Sequence, residues 1–138
     1  MLKRFEGQVQ LVLYHFVLNP TSEVATQAAL CAGEQGKFWD FHRLLYARQA
    51  QWHRLSNPLP RLVEFSGSME VDTEALEDCV KSGRMRPLIE ADIAYGRSLQ
   101  VRSTPTMFVN NTRIVGALEA DLVRTIRQEL ARARRQAQ

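Results

Sequence analysis

Near its start the chain carries an almost unbroken apolar run, "VQLVLYHFVL", from Val9 to Leu18. A run this rich in β-branched and aromatic residues, opened by Gly7, predicts a buried strand from about Gln8 to Phe16. Asn19-Pro20-Thr21-Ser22 breaks it and offers a helix cap. From Glu23 to Gln35 the pattern becomes Ala-rich and helical, ending near Gly36. In "FWDFHRLLYARQ", Phe38, Phe41, Leu44 and Leu45 fall on one helical face. Asn57, Pro58 and Pro60 make residues 50–60 a loop that opens a short helix through Phe65, stopped by Gly67. Asp72 is placed to cap a helix through about Lys81, with Leu76, Cys79 and Val80 inward and Gly83 as its stop. Pro87 suits the first turn of the next helix. That helix runs to about Leu99, with Leu88, Ile89, Ile93 and Leu99 as core positions.

The C-terminal third changes rhythm. "VRSTPTMFVNNTRIVG" reads as a short strand from Thr106 to Val109, a turn at Asn110-Asn111 and a return strand from Thr112 to Val115. After Gly116 an amphipathic helix repeats Leu118, Leu122, Ile126 and Leu130. Pro105 stands at the mouth of the hairpin, where it either begins an edge strand or takes the cis form. A loop of the second kind turns backbone groups outward, and an extended peptide can add to it as a strand. The order is β, a block of helices, then ββα, which predicts α/β layers. Neither an internal repeat nor a low-complexity linker marks a second domain, so residues 1–138 are expected to form a single one.

Composition narrows the chemistry. With 45% hydrophobic and 24% charged residues, the chain is of ordinary globular make-up. A net charge of +3 is too mild to imply nucleic acid. Arg124, Arg127, Arg132, Arg134 and Arg135 read as a solvated helix end, where cations suit the dipole. No long apolar run suggests a membrane span, and Met1 to Glu6 lacks the apolar core of an export signal. His15, His42 and His53 are scattered, so no metal site and no cofactor is expected. Trp39 and Trp52 read as packing or rim residues, and Asp72, Glu74, Glu77 and Asp78 as helix-start charges. Phosphate-loop, serine-elbow and zinc-protease motifs are missing. Cys31 and Cys79 both lie among apolar neighbours, which fits a structural bridge or buried free thiols better than a reactive pair.

Together these segments resemble one family. "VRSTPTMFVNNTRIVGA" resembles the cis-Pro loop and closing hairpin of the DsbA-like branch of the thioredoxin superfamily. "AALCAGEQGKFWDFHRLLYARQ" and "EALEDCVKSGR" resemble parts of its inserted helical domain, and "VQLVLYHFVL" its second core strand. The resemblance implies an incomplete thioredoxin-like α/β fold, with core pieces at 1–18 and 101–135 and a helical insert at 19–100. It implies a substrate-facing loop at Ser103, Thr104 and Pro105, and a structural disulfide between Cys31 and Cys79. It also implies an exported or periplasmic setting.

The resemblance has a gap. In the family a first strand and a helix opening with C-x-x-C precede the "VQLVLYHF" strand, and here only Met1 to Gly7 stand before it. No catalytic dithiol is present, so no catalytic residue is assigned. The family's lost strand lies between the segment 8–16 and the hairpin 106–115. Its loss strips hydrogen-bond partners from both, at about 1–3 kcal/mol for each buried group left unsatisfied. A homo-oligomer that exchanges a strand or helix is therefore expected, with an extended peptide or protein as the possible substrate and neither nucleic acid nor membrane as partner. The alternative expectation is a fragment of an active disulfide oxidoreductase or isomerase whose dithiol lies upstream.

Overall fold

The computed structural model describes residues 2–136. Its backbone separates into two compact units, one from the N-terminus to Tyr14 joined by Gly96 onward, the other from His15 to Tyr95.

The His15–Tyr95 unit is helical. Helix α1 spans Pro20–Glu34, α2 Phe38–Ala47, α3 Leu59–Ser66 and α4 Thr73–Ser82. Helix α5, Arg86–Ser98, begins in this unit. The Asn19 side chain accepts from the Ser22 N–H, so α1 opens at Pro20, earlier than the Ala-rich stretch alone implies. Asp72 does the same for α4 through the Ala75 N–H at 3.0 Å, and Gly83 ends that helix in the left-handed region at φ 67°. Helix α1 packs against α2, α3 and α4, and α3 against α4. Between them lie Ala28, Ala32, Phe41, Leu62, Phe65 and Leu76, all fully or almost fully buried. The small alanines let α1 approach its neighbours closely, while each buried Phe or Leu contributes about 1.5–3 kcal/mol. Trp52 closes the core and donates its indole N–H to the Leu45 carbonyl at 2.9 Å. Trp39 stays 41% exposed on the rim.

The other unit holds the sheet. Strands β1 (Thr106–Val109) and β2 (Thr112–Val115) pair antiparallel, with Met107 opposite Ile114 and Phe108 opposite Arg113. Asn110 takes φ 51° in the turn, a conformation asparagine tolerates well. Helix α6, Glu119–Gln136, packs on both strands. Its residues Leu122, Val123 and Ile126 bury with Phe5 and Ile114, and Met107, Val109 and Leu130 pack against them. A short 3-10 turn at Leu2–Phe5 carries Phe5 into this cluster.

Three expectations need correction. The strand expected from about Gln8 to Phe16 does not form, and β1 with β2 is the only sheet among the described residues. Leu11, Val12 and Leu13 are instead exposed, at 51, 59 and 38%. A strand buried on both faces needs a ladder neighbour and a covering layer, and the described residues give the segment no ladder. Leu88 is 49% exposed although Ile89 beside it is buried, because only one side of α5 meets the core. Leu118 lies just before α6 and is half exposed, so the buried stripe of that helix begins at Leu122.

Candidate functional site

Residues 100–105 form a loop tied down at both ends. At its start the Gln100 N–H donates to the Arg97 carbonyl and the Val101 N–H to the Gly96 carbonyl. At its end the Thr106 hydroxyl donates to the Ser103 carbonyl at 2.7 Å, and the Gly116 N–H donates to the Pro105 carbonyl at 2.8 Å. Gly116 reaches that carbonyl from φ 94°, a conformation open to glycine and strained for other residues. The Thr104–Pro105 peptide bond is cis. Ser103, Thr104 and Pro105, the three positions singled out from the sequence, all lie exposed on this loop.

Beside the loop is an open cleft of about 420 Å³, lined by Gln100 to Ser103, Thr106, Arg113 and Val115. Strand alternation explains Arg113. Ile114 points to the core, so its neighbours Arg113 and Val115 point away. The Arg113 guanidinium donates to the Leu99 carbonyl and lies 5.2 Å from the Phe108 ring centroid. Among the described residues no carboxylate pairs with Arg102 or Arg113, so the cleft is cationic. Its lining holds neither thiol, imidazole nor carboxylate. What the wall presents is guanidinium N–H donors, backbone groups and the Ser103 and Thr106 hydroxyls.

Cys31 on α1 and Cys79 on α4 are joined in a disulfide, 48 positions apart in sequence and 5.9 Å apart at Cα. Each is 1% exposed within the helical core. A thiolate that attacks a disulfide must be free and reachable, and neither sulfur is. Nearby, the Arg84 guanidinium hydrogen-bonds Glu34 and holds its carboxyl below the usual carboxylate range.

The helical unit also holds a polar knot that the scattered histidines did not suggest. One Asp92 oxygen accepts from the His15 backbone N–H at 2.9 Å and lies 2.7 Å from His15 Nδ1. Nε2 of that ring is buried without a hydrogen-bond partner, and the ring stands edge-on to Phe38. Phe38 stacks with His42, which touches Trp39 and Tyr46. Burial first, then electrostatic repulsion from the His15 and Arg43 side, holds His42 below the ordinary imidazole value. His53 stays outside this knot and contacts the Gln49 carbonyl on the surface. No group of metal-ligating side chains is present among the described residues.

The family resemblance singled out Ser103, Thr104 and Pro105, and neither it nor spacing pointed to Arg102, Arg113 or the His15–Asp92 pair. Alternation along β2 is a signal for Arg113, given the burial of Ile114. Nothing local joins His15 to Asp92, which meet only through the packing of α5.

Comparison with known proteins fits this architecture. The chain is 30% identical over 100 residues to an Na(+)/H(+) antiporter NhaA 1 of Salinispora arenicola, covering 72% of this chain and 15% of that protein. It is 27% identical over 131 residues to an Na(+)/H(+) antiporter NhaA of Herminiimonas arsenicoxydans, covering 95% and 20%. An Na(+)/H(+) antiporter NhaA 3 of Salinispora tropica is 29% identical over 96 residues, covering 70% and 14%. The chain therefore spans a fifth or less of the length of these relatives. No solved structure matches it. The family described as Thioredoxin matches residues 1–128, and the chain belongs to that family.

Proposed function

We propose that this chain is a DsbA-like thioredoxin-fold module that binds extended peptide at Ser103, Thr104 and Pro105 without performing disulfide exchange itself. The exposed loop beside a cationic cleft, in a chain of the thioredoxin family, carries the reading. The only two cysteines are already bonded to each other inside the helical core. A peptide laid along the loop would meet backbone groups for strand addition and two guanidinium groups for orientation. The uncovered apolar segment Leu11 to Leu13 adds a second element to the proposal, a homo-oligomer in which a strand or helix from another copy covers it.

Titration of a fluorescent extended peptide tests the first part. Binding that weakens at least tenfold in Thr104→Arg, with no turnover in insulin reduction, is the expected result. Clear turnover by this chain would overturn it. Light scattering at micromolar concentration tests the second part, and a stable monomer would rule the oligomer out.

A second reading draws on the relatives. They carry the antiporter name and are several times longer than the matched segment. On this reading the module is one part of a larger polypeptide, and the dithiol is supplied from elsewhere in it. An antibody against the module, used on native cell extract, distinguishes the two by the size of the band.

A further inference from the structure

The five arginines of the C-terminal helix are not equivalent. Arg124 pairs with Asp121, and Arg132 pairs with Glu129 at 2.7 Å. Arg127 and Arg134 instead flank a second cleft, of about 310 Å³, together with Arg4. The positions Arg127, Leu130, Ala131 and Arg134 recur at i, i+3, i+4 and i+7, which is one face of α6. Phe5 and Leu130 give the cleft an apolar floor, and Gln8 accepts from Arg134 at 3.3 Å. Among the described residues, no carboxylate pairs with Arg4, Arg127 or Arg134.

We infer that this cleft binds the phosphate headgroup of an acidic phospholipid, and so docks the module on an anionic bilayer surface. Three guanidinium groups around one small cleft match a phosphate, which each can grip with two parallel N–H donors. The apolar floor beside the charges favours an amphiphile over a free ion. That no helix among the described residues is long and apolar enough to cross a membrane, and that the net charge is mild, are no obstacle, because a surface contact depends on local charge. The inference does not depend on peptide binding at the Thr104–Pro105 loop.

Sedimentation with vesicles provides the test. The protein should co-sediment with phosphatidylcholine vesicles containing phosphatidylglycerol, and not with phosphatidylcholine alone. Each arginine near an anionic surface is worth about 1 kcal/mol, so the Arg127→Gln/Arg134→Gln double variant should lose about thirtyfold in partitioning. The Arg124→Gln/Arg132→Gln double variant removes the same charge from the same helix and should lose less than about threefold. Circular dichroism verifies that both variants fold. Equal losses in the two variants, or equal binding to phosphatidylcholine, would overturn the site. So would release by inorganic phosphate at matched ionic strength, or displacement by an acidic helical peptide.

Discussion

Cys31 and Cys79 staple α1 to α4 across a long intervening chain. By the chain-entropy argument, a bridge closing a loop of this length stabilises the fold by about 4 kcal/mol. The Cys31→Ala/Cys79→Ala variant should therefore unfold at markedly lower denaturant, and the wild type in reductant should move towards it. Denaturant titration with and without reductant measures both. His42 gives a pH-dependent counterpart. Its folded pKa lies below the 6.5 of the unfolded chain, so between the two values the unfolded state binds more protons. Stability should hold above pH 6.5, fall as the pH drops towards the folded value, and level off below it. His42→Gln should flatten that part of the profile, which urea midpoints measured across the range will reveal.

At the scale of elements, helix ends were the most legible feature. Asn19, Asp72 and Gly83 each act through chemistry written in a few adjacent residues. Asp72→Ala should cost about 1 kcal/mol, because the Ala75 N–H loses its acceptor. Thermal unfolding against wild type measures the loss, and Asp72→Asn should recover most of it. The hairpin was equally plain, since its turn and both strands lie within ten residues. The stretch from Val9 to Leu18 shows the limit of this kind of reading. Its residues favour a strand, but strand formation is a property of two segments, and no second segment pairs with this one among the described residues.

For the whole molecule, each unit keeps its own apolar cluster, one among the helices and one between the hairpin and α6. The exposed Leu11 and Leu13 lie outside both. If another copy covers them, Leu11→Lys/Leu13→Lys should shift the assembly to monomer in sedimentation velocity. It should leave the unfolding free energy of dilute protein within about 0.5 kcal/mol of wild type, as expected of surface positions. A large loss of stability at low concentration would instead mean that these side chains belong to the fold of a single chain.

Residue order alone determined the helices, their caps and the hairpin, because each depends on neighbours a few positions away, while Ser103, Thr104 and Pro105 were marked by the family resemblance. Tertiary structure alone decided how the arginines divide between ion pairs and clefts, and how His15 finds Asp92. It also decided that Leu11, Val12 and Leu13, in the middle of the apolar run, lie exposed rather than inside a sheet. These outcomes depend on what distant segments bring to one place, and spacing along the chain holds no record of that.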